Sequence, residues 1–182
     1  MNLDNAIIST ISTKIYWTTD DCGNIHLSLR SEGTTSRQYY HLFKTRGFIF
    51  SGCVQDVLFH ASDKPTSGVV YRVVILPIKN IVGRDRSDRK VIDYGFRRGW
   101  QRPHWEVACL IRDRLSSRQI KNMGLSWIVS MHEPINNSCN DPHYLVTSLG
   151  ADDLLSFLTH RCCPENVFAE SGGCVFVIPA KV

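Results

Sequence analysis

The chain of 182 residues carries 43% hydrophobic and 21% charged side chains with a net charge of +4. That balance suits a globular protein that buries a core without disulfides or a structural metal. Its seven cysteines (Cys22, Cys53, Cys109, Cys139, Cys162, Cys163 and Cys174) are irregularly spaced and make no Cys-x-x-Cys pair, which argues against a zinc ribbon or a thioredoxin-type site. The opening "MNLDNAIIST" has neither the basic nor the apolar block of a signal peptide, and no apolar run nears the roughly 20 residues of a membrane span. A cytoplasmic location with mostly free thiols follows as the expectation.

In chain order, "KIYWTTDDCGNIHLSL" (14–29) predicts a hairpin, with Gly23 or Asn24 in the left-handed region of its turn. "TTSRQYYHLFKTRGF" predicts a helix capped by Ser36, buried through Tyr39, Leu42 and Phe43, and ended by Gly47. "FIFSG" and "DVLFHAS" read as short strands. "GVVYRVVILPIKNIVG" (68–83) reads as a strand buried on both faces, with Pro77 either ending it or placing it beside a bulge.

The second half turns helical. "SDRKVIDYGFRRG" predicts a helix from Ser87, and "PHWEVACLIRDRL" a central one with Pro103 in its first turn and Trp105, Ala108, Ile111 and Leu115 buried. "SSRQIKNMG" carries a Ser116-x-x-Gln119 capping box and a Gly124 stop. "LSWIVSMHEPI" is a strand broken by Pro134, and "NNSCNDPHY" a loop. "GADDLLSFLTHRC" reads as a helix opened by Asp152 or Asp153, and "GGCVFVIPA" as a final strand. Residues 1–182 thus form a single α+β domain, with a mixed or mostly antiparallel sheet and about four helices concentrated in the second half.

The charge is unevenly spread. Residues 84–102, "RDRSDRKVIDYGFRRGWQR", hold seven bases against three acids, an excess equal to that of the whole chain. Arg84, Arg86, Arg89, Lys90, Arg97, Arg98 and Arg102 stand among Tyr94, Phe96 and Trp100, the combination used by protein hot spots and by single-stranded nucleic acid sites. Tyr94 and Trp100 also fit the buried face of a helix. The leading expectation is a non-enzymatic interaction or regulatory protein that meets an acidic protein surface, or a nucleic acid, through this segment. No cofactor motif is present. The modest size suits an accessory protein of the kind phages and other mobile elements carry.

A second reading starts from His104-x-Glu106, placed behind Pro103 at a helix start. A strand ending in Glu133-Pro134 lies some thirty residues on, and this order resembles the zinc-dependent nucleobase deaminases. The resemblance implies zinc held by His104 and Cys139, with Glu106 moving the proton of a zinc-bound water. The sequence departs from that family where Ile135 fills the position of its first cysteine and Cys139 stands one residue beyond its second. His60-x-Ser62 resembles half of a twin-histidine phosphoesterase motif, without a second half.

Overall fold

The computed structural model describes residues 15–62, 64–81, 86–149 and 155–180. The first hairpin pairs β1 (Trp17–Thr19) with β2 (Ile25–Glu32), Trp17 lying opposite Leu27. Gly23 supplies the left-handed residue of the turn at φ 78°, and Asn80 Nδ2, which donates to the Cys22 carbonyl, fills the space a side chain there would need. α1 (Ser36–Thr45) is capped by Thr35 instead of Ser36. The Thr35 hydroxyl accepts from the Gln38 N–H while the Gln38 side chain accepts from the Thr35 N–H, a reciprocal box one residue upstream of the expected cap. Gly47, at φ 75°, follows its end.

β3 (Ile49–Phe50) is a two-residue strand, but the segment after it is α2 (Val54–His60), a helix where a strand was expected. Val54, Val57 and Leu58 recur at helical spacing and are fully buried, and this stripe decides the local structure over β-branched content. β4 (Ser67–Pro77) ends at Pro77 as expected and runs into a short 3-10 turn at Ile78–Asn80. Only Val73–Pro77 are buried on both faces, because Ser67–Val70 and Arg72 are exposed.

α3 (Asp88–Arg97) starts after Ser87, as read. α4 (Glu106–Arg114) begins three residues beyond Pro103, so the proline leads into the helix without entering its first turn. α5 (Ser117–Asn122) carries the Ser116–Gln119 box. β5 (Trp127–Ser130) stops short of Pro134, and β6 (Ile135–Asn136) resumes after it. β7 (Pro142–Leu149) begins inside the expected loop; Asn137 Oδ1 accepts from the Cys139 and Asp141 N–H groups and compresses that loop into a tight turn.

β8 (Leu155–Arg161) replaces the expected helix. It pairs with β7 from His143 opposite Arg161 to Leu149 opposite Leu155, and ladder pairing overrides the leucine spacing that suggested a helix. Asp152 and Asp153 lie outside the described residues. β9 (Gly172–Val177) is the last strand.

Among the described residues the strands form one mixed nine-stranded sheet in the order β1-β2-β4-β9-β5-β7-β8-β3, with β6 beside β7. The pairs β5–β9 and β3–β8 are parallel. α1, α2, α4 and α5 cover one face around Phe43, Leu58, Ile111 and Phe157, and α4 is buried on nearly every side. α3 covers the other face over Val74, Val129 and Phe176. This is an α+β domain with three of its five helices after the longest strand. All seven cysteines are free, Cys109 and Cys174 being fully buried. Among the described residues no helix is long and apolar enough to cross a membrane.

Candidate interaction surface

The basic segment becomes α3 and the turn after it, and its position is fixed by what it buries. Val91 and Gly95 face the sheet, and a Cβ on Gly95 would lie 2.6 Å from Cε1 of Phe176. A glycine inside a helix costs about 1 kcal/mol relative to alanine. Here it lets the helix backbone rest directly on the aromatic ring. At the other end the buried Asp88 accepts from the Cys163 N–H at 3.2 Å, and its own N–H donates to the Asn166 carbonyl.

The opposite side of the helix faces solvent. Arg89, Lys90, Phe96, Arg97 and Arg98 are exposed, Phe96 to 48%. The Arg98 guanidinium sits 3.6 Å from the centroid of Tyr94, and half-buried Trp100 leans on Phe176 at 5.8 Å. Tyr94 and Trp100 therefore belong to the second core and also form the platform on which Arg98 rests.

The charges of the segment divide into two groups. Arg86 pairs with Glu170 at 2.5 Å. Arg102 pairs with Glu133 at 3.1 Å and donates to the carbonyls of Met131 and His132. Both are engaged within the molecule. Arg89, Lys90, Arg97 and Arg98 make no ion pair with a described carboxylate, although Asp93 lies one turn from both Arg89 and Arg97. Arg84 lies outside the described residues.

The His104–Glu106 pair has a different environment from the one the deaminase resemblance implies. Glu106 is 1% exposed, and it accepts from the Thr66 N–H at 3.0 Å, from the Thr66 hydroxyl at 2.6 Å and from the Tyr71 hydroxyl. His104 Nδ1 stands 3.4 Å away. Burial pushes the carboxyl pKa up, but the hydrogen bonds from His104, Thr66 and Tyr71 outweigh it and hold the group below its ordinary value. The carboxylate ties the start of α4 to β4. Arg102, four residues before it, is bound to Glu133 instead.

His104 lines a cleft of about 770 Å³ with His60, Arg102, His132 and Asn136. His60 closes α2 and bonds back to Asp56. His132 beneath it is locked: the Leu145 N–H donates to Nε2, so Nδ1 carries the proton and donates to the Glu133 carbonyl at 2.6 Å. Burial pushes its pKa down to about 4. Cys139 sits exposed on the adjacent turn and is not one of the cleft's walls. Among the described residues no three His, Cys, Asp or Glu side chains gather as metal ligands.

Arg30, Arg72, Thr66 and Tyr71 escaped the sequence reading. The alternation in "IHLSLR" marks Arg30 as outward, and Arg72 inside an otherwise apolar run was the sign that this half of β4 is open on one side. Comparison with protein-family models, with curated proteins and with solved structures finds no match to this chain.

Proposed function

We propose that this chain is a non-enzymatic interaction or regulatory protein that docks an acidic protein surface through α3 and the turn that follows it. Arg89, Lys90, Arg97 and Arg98 supply the charge, and Phe96 and Trp100 the rings. The observation that carries this reading is the set of four exposed cations without an ion pair to a described carboxylate, beside the half-exposed Phe96. Arginine and aromatic side chains on a rigid element are what binding hot spots are made of. A protein partner is favoured over nucleic acid because Asp93 interrupts the row and Arg86 and Arg102 are committed elsewhere, which leaves few cations to follow a phosphate backbone. The zinc-dependent hydrolase built on His104, Glu106 and Cys139 has less support, since Glu106 is already held by Thr66 and Tyr71.

The test is affinity capture from a nuclease-treated native lysate, followed by titration of the purified partner against wild type and Arg97→Glu combined with Arg98→Glu. Loss of binding with an unchanged thermal melt is the expected result. Undiminished binding overturns the assignment, and a partner that disappears with nuclease moves it to nucleic acid.

A further inference from the structure

Among the described residues the covering on the α3 side of the sheet stops at β4, and what lies beyond is a second basic surface. Val74 of β4 belongs to the core beneath α3, so the residues at its two-residue spacing, Arg72 and Val70, point to that same side. The register places Ser28 opposite Arg72 and Arg30 opposite Val70, which brings β2 residues onto the same face. Ser28, Arg30, Val70 and Arg72 are all exposed, Val70 to 57%. Ser28, Arg30 and Arg72 lie on the floor of an open groove of about 720 Å³ that Ile178 borders. Ile178 donates its N–H to the Arg72 carbonyl and packs against the cluster that holds Tyr94 and Trp100. The groove is thus continuous with the platform beneath Arg98.

Two guanidinium groups face the groove without an ion pair to a described carboxylate, those of Arg30 and Arg72. Two carboxylates of the first hairpin are already engaged. Glu32 is bound by Arg114, and Asp20 by His26 and Asn24. Arg30 and Arg72 are diagonal neighbours across an antiparallel pair, a spacing of about 7–8 Å. An extended peptide repeats its side chains on one face every two residues, at about 7 Å. Alternate acidic residues of such a peptide match the two arginines, and exposed Val70, opposite Arg30, offers an apolar contact beside it. Tyr16, 74% exposed, and His26 also line the groove, so the oligouridine control separates a stacked nucleotide from an acidic peptide.

We infer that the uncovered face of β2 and β4 receives an extended acidic segment, with carboxylates at alternate positions, of the same protein partner that meets α3. This rests on the reading given above and adds the conformation and charge pattern of what is bound.

The probe is a fluorescein-labelled peptide of alternating glutamate and valine, titrated into the full chain at low salt. Controls are the glutamine version, a version with its glutamates clustered at one end, and a single-stranded oligouridine. Variants are Arg30→Gln with Arg72→Gln, and Arg97→Glu with Arg98→Glu, each checked for an unchanged melt. The alternating peptide is expected to bind best, and the Arg30/Arg72 variant to weaken it roughly tenfold. Peptide binding that depends on Arg97 and Arg98 but not on Arg30 and Arg72 overturns the sheet-face site and leaves the helix reading standing. Loss through Arg30 and Arg72 alone supports the groove and leaves the helix reading to its own capture test. No preference for the alternating peptide, or equal binding of oligouridine, overturns the proposal.

Discussion

Gly95 of α3 rests on the edge of the Phe176 ring of β9 with no room for a methyl group between them. The charged face of the helix is aimed by this contact. Gly95→Ala improves helix propensity by about 1 kcal/mol, yet a Cβ 2.6 Å from Cε1 forces the helix or the ring to move. The variant is expected to lose about 1–2 kcal/mol net in urea unfolding, since overpacking of this kind costs about 1–3 kcal/mol. It should also weaken partner binding without altering a charge. A gain in stability would show that the helix has slack.

His132 sets a pH dependence. In the unfolded chain its imidazole takes a proton near 6.5, and in the folded protein burial holds it down to about 4. As pH falls from 6.5 towards 4, only the unfolded state gains that proton, so stability is fully present above 6.5 and declines by roughly 3 kcal/mol across the window. Urea midpoints measured through this range should slope downward on acidification in wild type. His132→Gln should flatten the slope.

Glu106 acts at lower pH and with the same sign. Because its folded carboxyl titrates below the ordinary glutamate value of about 4.3, the stability it contributes is present above that value and is lost as pH falls through its own. Glu106→Ala leaves the Thr66 N–H without its acceptor, while the Thr66 and Tyr71 hydroxyls fall back on Ser31 Oγ and Thr66 Oγ1. An unsatisfied donor costs about 1–3 kcal/mol, and a loss within that range at neutral pH is expected. Thermal unfolding and amide exchange at Thr66 report it directly.

Arg112 is a buried cation with little to hold it. It is 1% exposed, donates to the Leu115 carbonyl, lies over Phe48 at 5.2 Å, and has Nε and Nη1 without partners. Burial pulls its pKa down to about 10. Replacing such a charge with a flexible apolar side chain often stabilises by about 1–4 kcal/mol. Arg112→Met should raise the melting temperature, and a fall would mean that the Leu115 bond and the Phe48 contact outweigh the desolvation.

What the sequence revealed and what it hid follow from the range of the interactions. The Ser116–Gln119 box, the Gly23 turn and the stop at Pro77 are local chemistry, and each appears where it was read. Leu155–Arg161 misled because its leucines suit a helix until β7 pairs with it, and Val54–His60 because its seven residues are too short for periodicity to separate helix from strand. At the candidate surface, charge counting found the segment but not the division within it. Glu170 and Glu133 neutralise Arg86 and Arg102 from distant parts of the chain, and only the fold brings them there.

The position of β9 has a consequence for how the protein is made. This strand, the last of the sheet, lies between β4 and β5, and among the described residues it alone joins β1, β2 and β4 to the other strands. Until Val177 has left the ribosome, two incomplete half-sheets expose the edges that will later receive it. Such long-range closure slows folding and gives nascent chains time to associate wrongly. Synthesis of this protein should therefore depend on chaperone capture more than its modest size would suggest.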